Sequence, residues 1–99
     1  MVQINWTRIA VDDLNSIYDF ISRDSRKFAQ IEVIKIKTRT YILKKNPFAG
    51  KEVTEKGNVA IRELVEGNYR IIYKIINKGR IDILTIHHSS RDLNRREFL

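Results

Sequence analysis

Apolar side chains recur at helical spacing through the first half of the chain and at strand spacing through the second. Ala10, Leu14, Ile17 and Ile21 follow at steps of 4, 3 and 4, which puts them on one helix face, while Asp12, Asp13, Asn15, Ser16 and Asp19 fall mainly elsewhere. Thr7 stands just before this stripe, where its hydroxyl can accept an otherwise unpaired amide of the first turn. The alternation ahead of it predicts a short strand over 2–6. Asp24-Ser25 breaks the stripe and can cap a second helix running to about Lys45, with Ala29, Val33, Ile36, Thr40 and Leu43 as its apolar face. Residues 31–40 are rich in β-branched types that prefer strands, but twenty residues without a turn signal predict a helix. Pro47 drives Asn46 out of helical geometry, and 47–58, with Gly50 and Gly57, reads as a surface loop.

Three strands follow over 60–65, 69–76 and 80–88, joined by turns at Glu66-Gly67-Asn68 and Asn77-Lys78-Gly79. A three-residue second loop places Ile76 opposite Arg80 and Lys74 opposite Asp82, a favourable pair of opposite charges. In that register Arg70, Ile72, Lys74, Leu84, Ile86 and His88 share one face. Tyr69, Ile71, Tyr73, Ile75, Ile81, Ile83, Thr85 and His87 share the other, more apolar face, which is expected under the helices. The fold class is α+β: a β-α-α-β-β-β chain in one domain, 1–99, with a helical hairpin on a small, curved, largely antiparallel sheet.

Composition narrows the chemistry. The chain has 99 residues, 42% hydrophobic and 31% charged, which suits one globular domain with a modest core. No run approaches the ~18 apolar residues of a membrane span, so no membrane partner is expected. The chain has no cysteine, which removes disulfides, thiol nucleophiles and zinc fingers and fits a reducing cytoplasm. Lys and Arg outnumber Asp and Glu by 19 to 12, and both halves are positive, so an anionic partner is favoured. The Lys35, Lys37, Arg39, Lys44 and Lys45 series on the second helix is the expected place for electrostatic docking.

Nucleotide-binding glycine loops, HExxH and GxSxG are missing. His87 and His88 are adjacent, so on a strand they point apart and do not chelate one metal; no metal or cofactor is expected. What remains is a cationic group near the end of the sheet: Arg62, Arg70, His88 and Arg91. Guanidinium groups bind phosphate through paired hydrogen bonds, and an imidazole moves protons near neutral pH. These are the candidates for metal-free RNA cleavage by 2′-hydroxyl attack, although ordinary solvated sheet residues account for Arg70 and His88 as well. Tyr69, Tyr73 and Trp6 read as packing aromatics rather than base-stacking ones.

Several segments resemble the RelE/ParE superfamily, the toxin halves of bacterial type II toxin–antitoxin pairs. They are the Ala10…Asp13-Leu14…Ile17…Ile21 helix, Asn46-Pro47-Phe48-Ala49-Gly50, Ile61-Arg62-Glu63-Leu64, Asn68-Tyr69-Arg70-Ile71-Ile72-Tyr73, and Ile83 through Leu93. The resemblance implies a helical hairpin over a curved antiparallel sheet and a cognate antitoxin as partner. A homodimer or a toxin–antitoxin hetero-oligomer is the assembly it points to. RelE-like members cut mRNA on the ribosome; ParE-like members poison DNA gyrase. RelE-like chains place Lys or Arg at two alternating positions of the strand before the Tyr-Arg pair, and often a late catalytic Tyr or His. Glu63 and Val65 stand at those positions here, and no Tyr follows Tyr73. The resemblance therefore implies a ParE-like gyrase inhibitor first. A RelE-like nuclease using Arg70, His88, Arg91 and Arg62 on ribosome-bound mRNA is the alternative.

Overall fold

A computed structural model describes residues 1–98. Its elements are β1 (Gln3–Trp6), α1 (Arg8–Ser22), α2 (Arg26–Arg39), β2 (Lys51–Glu52), β3 (Ile61–Glu66), β4 (Tyr69–Asn77) and β5 (Arg80–His88), with 3₁₀ turns at Thr40–Lys44 and Leu93–Arg95. The sheet order is β1-β5-β4-β3-β2; β1 runs parallel to β5 and the other pairs are antiparallel. Both helices start where the sequence caps them. The hydroxyl of Thr7 accepts from the amide of Ala10, and that of Ser25 from the amide of Phe28. Their inward stripes meet the sheet: Ala10, Leu14, Ile36 and Leu43 are buried with Leu64, Ile71, Tyr73, Ile81, Ile83 and Ile86. A second apolar cluster lies on the sheet's other face, where Leu93 and Phe98 of the C-terminal segment cover Val53, Ile61, Ile72 and Leu84.

Five expectations need correction. The second helix ends at Arg39 rather than near Lys45, and its last stretch tightens into the 3₁₀ turn, which still buries Thr40 and Leu43. The 47–58 segment is not all surface loop: Lys51 and Glu52 pair with Glu63 and Arg62, and Val53 is buried. The Glu66 turn has two residues, because Glu66 pairs Tyr69, and Gly67 takes the positive φ of 57° that the turn requires. The last hairpin also closes on two residues, Lys78-Gly79, pairing Asn77 with Arg80. Lys74 opposes Asp82 as expected, but Ile76 is an extra residue in the ladder instead of facing Arg80.

The fifth correction changes the site. Tyr73 pairs with Ile83 and Ile72 with Thr85, so Leu84 is a second extra residue. Every side chain of β5 beyond it switches sides. Ile86 moves to the helix face, His87 pairs with Arg70, and His88 pairs with Tyr69 on the opposite face from Arg70. Hydrogen bonding from α1 supports this shift. β1 stops at Trp6, which leaves the upper edge of β5 without a strand partner. The Thr7 hydroxyl donates to the carbonyl of Leu84 at 3.1 Å, and the Asp13 carboxylate accepts from the Ile86 amide at 3.0 Å and the Thr85 hydroxyl at 2.5 Å. Asp13 also pairs with Arg96, tying the C-terminal segment to α1.

Tyr73 fastens the Pro47–Gly50 corner to the sheet. Its hydroxyl donates to the Pro47 carbonyl at 2.7 Å and accepts from the Gly50 amide at 3.0 Å, and the ring is fully buried. A Cβ at Gly50 would lie 2.4 Å from the Glu63 carbonyl oxygen, so only glycine fits this crossing. Tyr73→Phe strands a buried amide and a carbonyl, and is expected to cost about 1–3 kcal/mol with the fold retained. Urea denaturation measures the loss; an unchanged midpoint would show that the corner is held by other contacts.

Candidate functional site

The sequence grouped Arg62, Arg70, His88 and Arg91; the fold divides them among three places. Arg62 pairs with Tyr73, on the helix side of the sheet. There its Nε donates to the Gly50 carbonyl at 2.7 Å, its Nη1 to the Val59 carbonyl at 3.1 Å, and its guanidinium stacks 5.2 Å from the Phe48 ring centre. It is a brace for the 47–59 segment.

Arg70 lies on the other face, between two carboxylates. Its Nε is 2.6 Å from Glu63 Oε2, Nη2 is 2.5 Å from the same oxygen, and Nη1 and Nη2 reach both oxygens of Glu55 at 2.8 and 3.0 Å. All three guanidinium nitrogens thereby donate to a carboxylate, using three of the five N–H groups. The side chains of Arg70 and Glu63 are only 14% and 5% exposed. Lys51 Nζ stands 3.7 Å from the second Glu63 oxygen. The hydrogen bonds from Arg70 hold the Glu55 carboxyl down at about 2, from an ordinary 4.5, and the two carboxylates hold the Arg70 pKa still higher than usual. His87, the cross-strand neighbour of Arg70, is buried; its Nε2 donates to the Arg91 carbonyl at 3.0 Å, and its Nδ1 has no partner among the described residues.

His88 and Arg91 belong to a third place, an open cleft of about 870 Å³ between α1, the end of β5 and the C-terminal segment. Ile17, Ile21 and Ile86 supply an apolar lining, with Phe20 at the rim; Arg91 and Arg95 supply charge. Tyr69 and His88 meet edge to face, ring centres 5.4 Å apart at 87°. Burial, with the Glu32 charge second, pushes the Tyr69 hydroxyl pKa up, so it stays protonated. The Ser90 amide donates to His88 Nδ1 at 3.2 Å, which makes Nδ1 the bare nitrogen and leaves the ring proton on Nε2. The Ser90 hydroxyl, 2.6 Å away, then donates to the same nitrogen. The cleft combines one imidazole N–H, the guanidinium of Arg91, which has no carboxylate partner among the described residues, and an apolar lining. It lacks Arg70.

The comparisons with known proteins bear on this arrangement. Residues 4–93 match the family model for the ParE toxin of the type II toxin–antitoxin system parDE. The chain belongs to the ParE toxin family. Toxin RelE2 of Caulobacter vibrioides is 32% identical over 91 residues, covering 92% of this chain and 99% of that one. Two solved structures share the fold. One, described as the chromosomal ParDE system from P. aeruginosa, has a TM-score of 0.72 at 24% identity, covering 89% of this chain and 96% of that one. The other, the YoeB/ParE toxin from Agrobacterium tumefaciens, has a TM-score of 0.59 at 22% identity, with 88% and 98% covered. This chain is thus a type II toxin of the RelE/ParE superfamily, and toxins of this class pair with a cognate antitoxin.

Sequence reasoning missed Glu55, Asp13 and Arg96 as organising residues. Glu55 sits in the segment read as loop, and only the register of the two-residue strand β2 brings it to Arg70. Because Glu55 is held near 2 in the folded chain against 4.5 ordinarily, its contribution to stability is full above about pH 4.5 and disappears as pH falls toward 2. Glu55→Gln is therefore expected to be less stable than the parent at pH 7 and to lose less between pH 4.5 and 2. Thermal melts across that window test it; parallel curves would place Glu55 outside the acid response.

Proposed function

We propose that this toxin acts on DNA gyrase and does not itself cut nucleic acid. The observation that carries the reading is the pairing of Arg70. Cleavage by 2′-hydroxyl attack needs cations around a phosphate whose charge grows in the transition state. At the strand positions where RelE-like nucleases place cations, this chain has Glu63, buried against Arg70, and the exposed Val65. Glu55 completes the neutralisation. Binding a protein–DNA machine asks first for positive potential, and the net charge of +7 supports that reading.

A second reading has its own support, the cleft that joins His88 Nε2–H to Arg91 and the likeness to a relative called Toxin RelE2. On that reading the chain is a ribosome-dependent mRNA endonuclease, with His88 as the proton donor and Arg91 as the phosphate contact. Parallel assays of the purified toxin separate the two. The gyrase reading expects gyrase-linked double-strand DNA breaks, a DNA-damage response on expression, and intact ribosome-bound mRNA. Codon-positioned mRNA cuts with supercoiling untouched would contradict it. Those cuts should then fall ~10²–10⁴-fold in His88→Ala, the usual worth of general acid–base assistance.

A further inference from the structure

Three stretches of chain meet at the corner where the sheet begins. The Val2 amide donates to the Lys44 carbonyl at 3.2 Å and the Gln3 amide to the Gly79 carbonyl at 2.9 Å. These bonds tie the start of β1 to the end of the 3₁₀ turn and to the β4–β5 hairpin. Between them lies an open hollow of about 510 Å³, lined by Met1, Val2, Lys44, Lys45, Pro47 and Lys78. Its three lysines are exposed, and none has a carboxylate partner among the described residues. The neighbouring charges of β5 are matched already. Arg80, which pairs with Gln3 in the ladder, closes on Asp82 through contacts of 2.8 and 3.1 Å, and Asn5 donates to the same carboxylate at 3.2 Å. The carbonyls at the end of the 3₁₀ turn take amides, not ammonium groups: Ile42 accepts from Lys45 and Asn46 at 3.3 and 3.0 Å, and Lys44 from Val2. Three ammonium groups thus border one hollow, uncompensated by the described residues.

We propose that this corner binds the phosphodiester backbone of duplex DNA. Lysine is a compact charge on a flexible stem, and it carries its three donors to a phosphate without demanding a fixed angle. A row of phosphates along a convex ridge suits a concave site with three such charges better than a lone carboxylate does. The neighbouring aromatic rings decide between duplex and single strand. Unpaired bases bind by stacking on open aromatic faces. Here the Lys44 ammonium sits 4.9 Å from the Tyr41 ring centre and the Arg62 guanidinium 5.2 Å from that of Phe48, so cations already occupy the ring faces. Charge without a stacking platform suits a nucleic acid whose bases are already stacked inside. The corner is also remote from the cleft, because Arg80 and His88 stand at opposite ends of β5, roughly 25 Å apart at the rise of an extended strand. The inference rests on the gyrase reading for its place in the cell, but toxin and DNA alone test it, so its failure would leave that reading standing.

The test is fluorescence anisotropy of the whole toxin with a labelled duplex of roughly 20 base pairs. Binding should be saturable and alike for two unrelated sequences, because phosphate contacts carry no base readout. The logarithm of the association constant should fall against that of salt with a slope of about −2.7, the counterion release of three phosphates. Lys44→Gln/Lys45→Gln/Lys78→Gln should lose at least roughly tenfold in affinity at about 50 mM salt, and most of that slope. Lys27→Gln/Lys35→Gln/Lys37→Gln removes the same charge from exposed positions of α2 and should stay within about threefold of the parent. Both variants change exposed side chains only, and circular dichroism matching the parent checks their fold. Amide NMR gives a second reading: in the parent, Val2, Lys45 and Lys78 should shift on titration with the duplex. No binding of the duplex, or equal losses in the two variants, would overturn the proposal. So would tighter binding of a single-stranded RNA of the same length, or association with phosphatidylglycerol vesicles but not with DNA.

Discussion

The pairing of one guanidinium with two carboxylates organises the outer face of this molecule. Arg70 joins β4 to Glu63 on β3 and to Glu55 on the segment after β2, so three successive stretches of chain share one charge network. Burial makes the arrangement all-or-none. With Glu63 only 5% exposed, losing its partner would leave a carboxylate in a poorly solvated place, which costs far more than a surface ion pair is worth. The same network sets what this face can do: a guanidinium closed by its own carboxylates has little left for a phosphate.

A one-residue irregularity decides the other side. Leu84 lengthens β5 by one position against β4, and so His88 stands beside Tyr69 in the cleft while His87 is buried beside Arg70. The Asp13 carboxylate holds the bulged edge and, through Arg96, the C-terminal segment that forms one wall of the cleft. Histidine and arginine that share a face in a regular ladder are thereby placed on opposite faces. The constellation a nuclease would want is split by backbone geometry, not by residue choice.

Much of this was legible in the sequence, and the rest fails for stated reasons. The 4-3-4 stripe of α1, the Thr7 and Ser25 caps and the long alternating strands each rest on local periodicity, which composition records directly. The bulge at Leu84 does not, because Ile83-Leu84-Thr85-Ile86 has the same apolar character in either register and only Thr7 and Asp13, more than seventy residues away, select one. β2 escapes for a similar reason: two residues carry no period. Glu63 stood out in the sequence as an acidic residue between cations, and in the fold it is buried against Arg70. Its partner Glu55 was hidden in a segment read as loop.

The central claim is that Arg70 is committed to Glu63 and Glu55 and therefore closed to phosphate. Side-chain NMR of the Arg70 Nε–H during titration with inorganic phosphate tests it most directly. A resolved, exchange-protected resonance that does not move with phosphate is the predicted result. A saturable shift accompanied by loss of protection would show the guanidinium open to an oxyanion and would contradict the account.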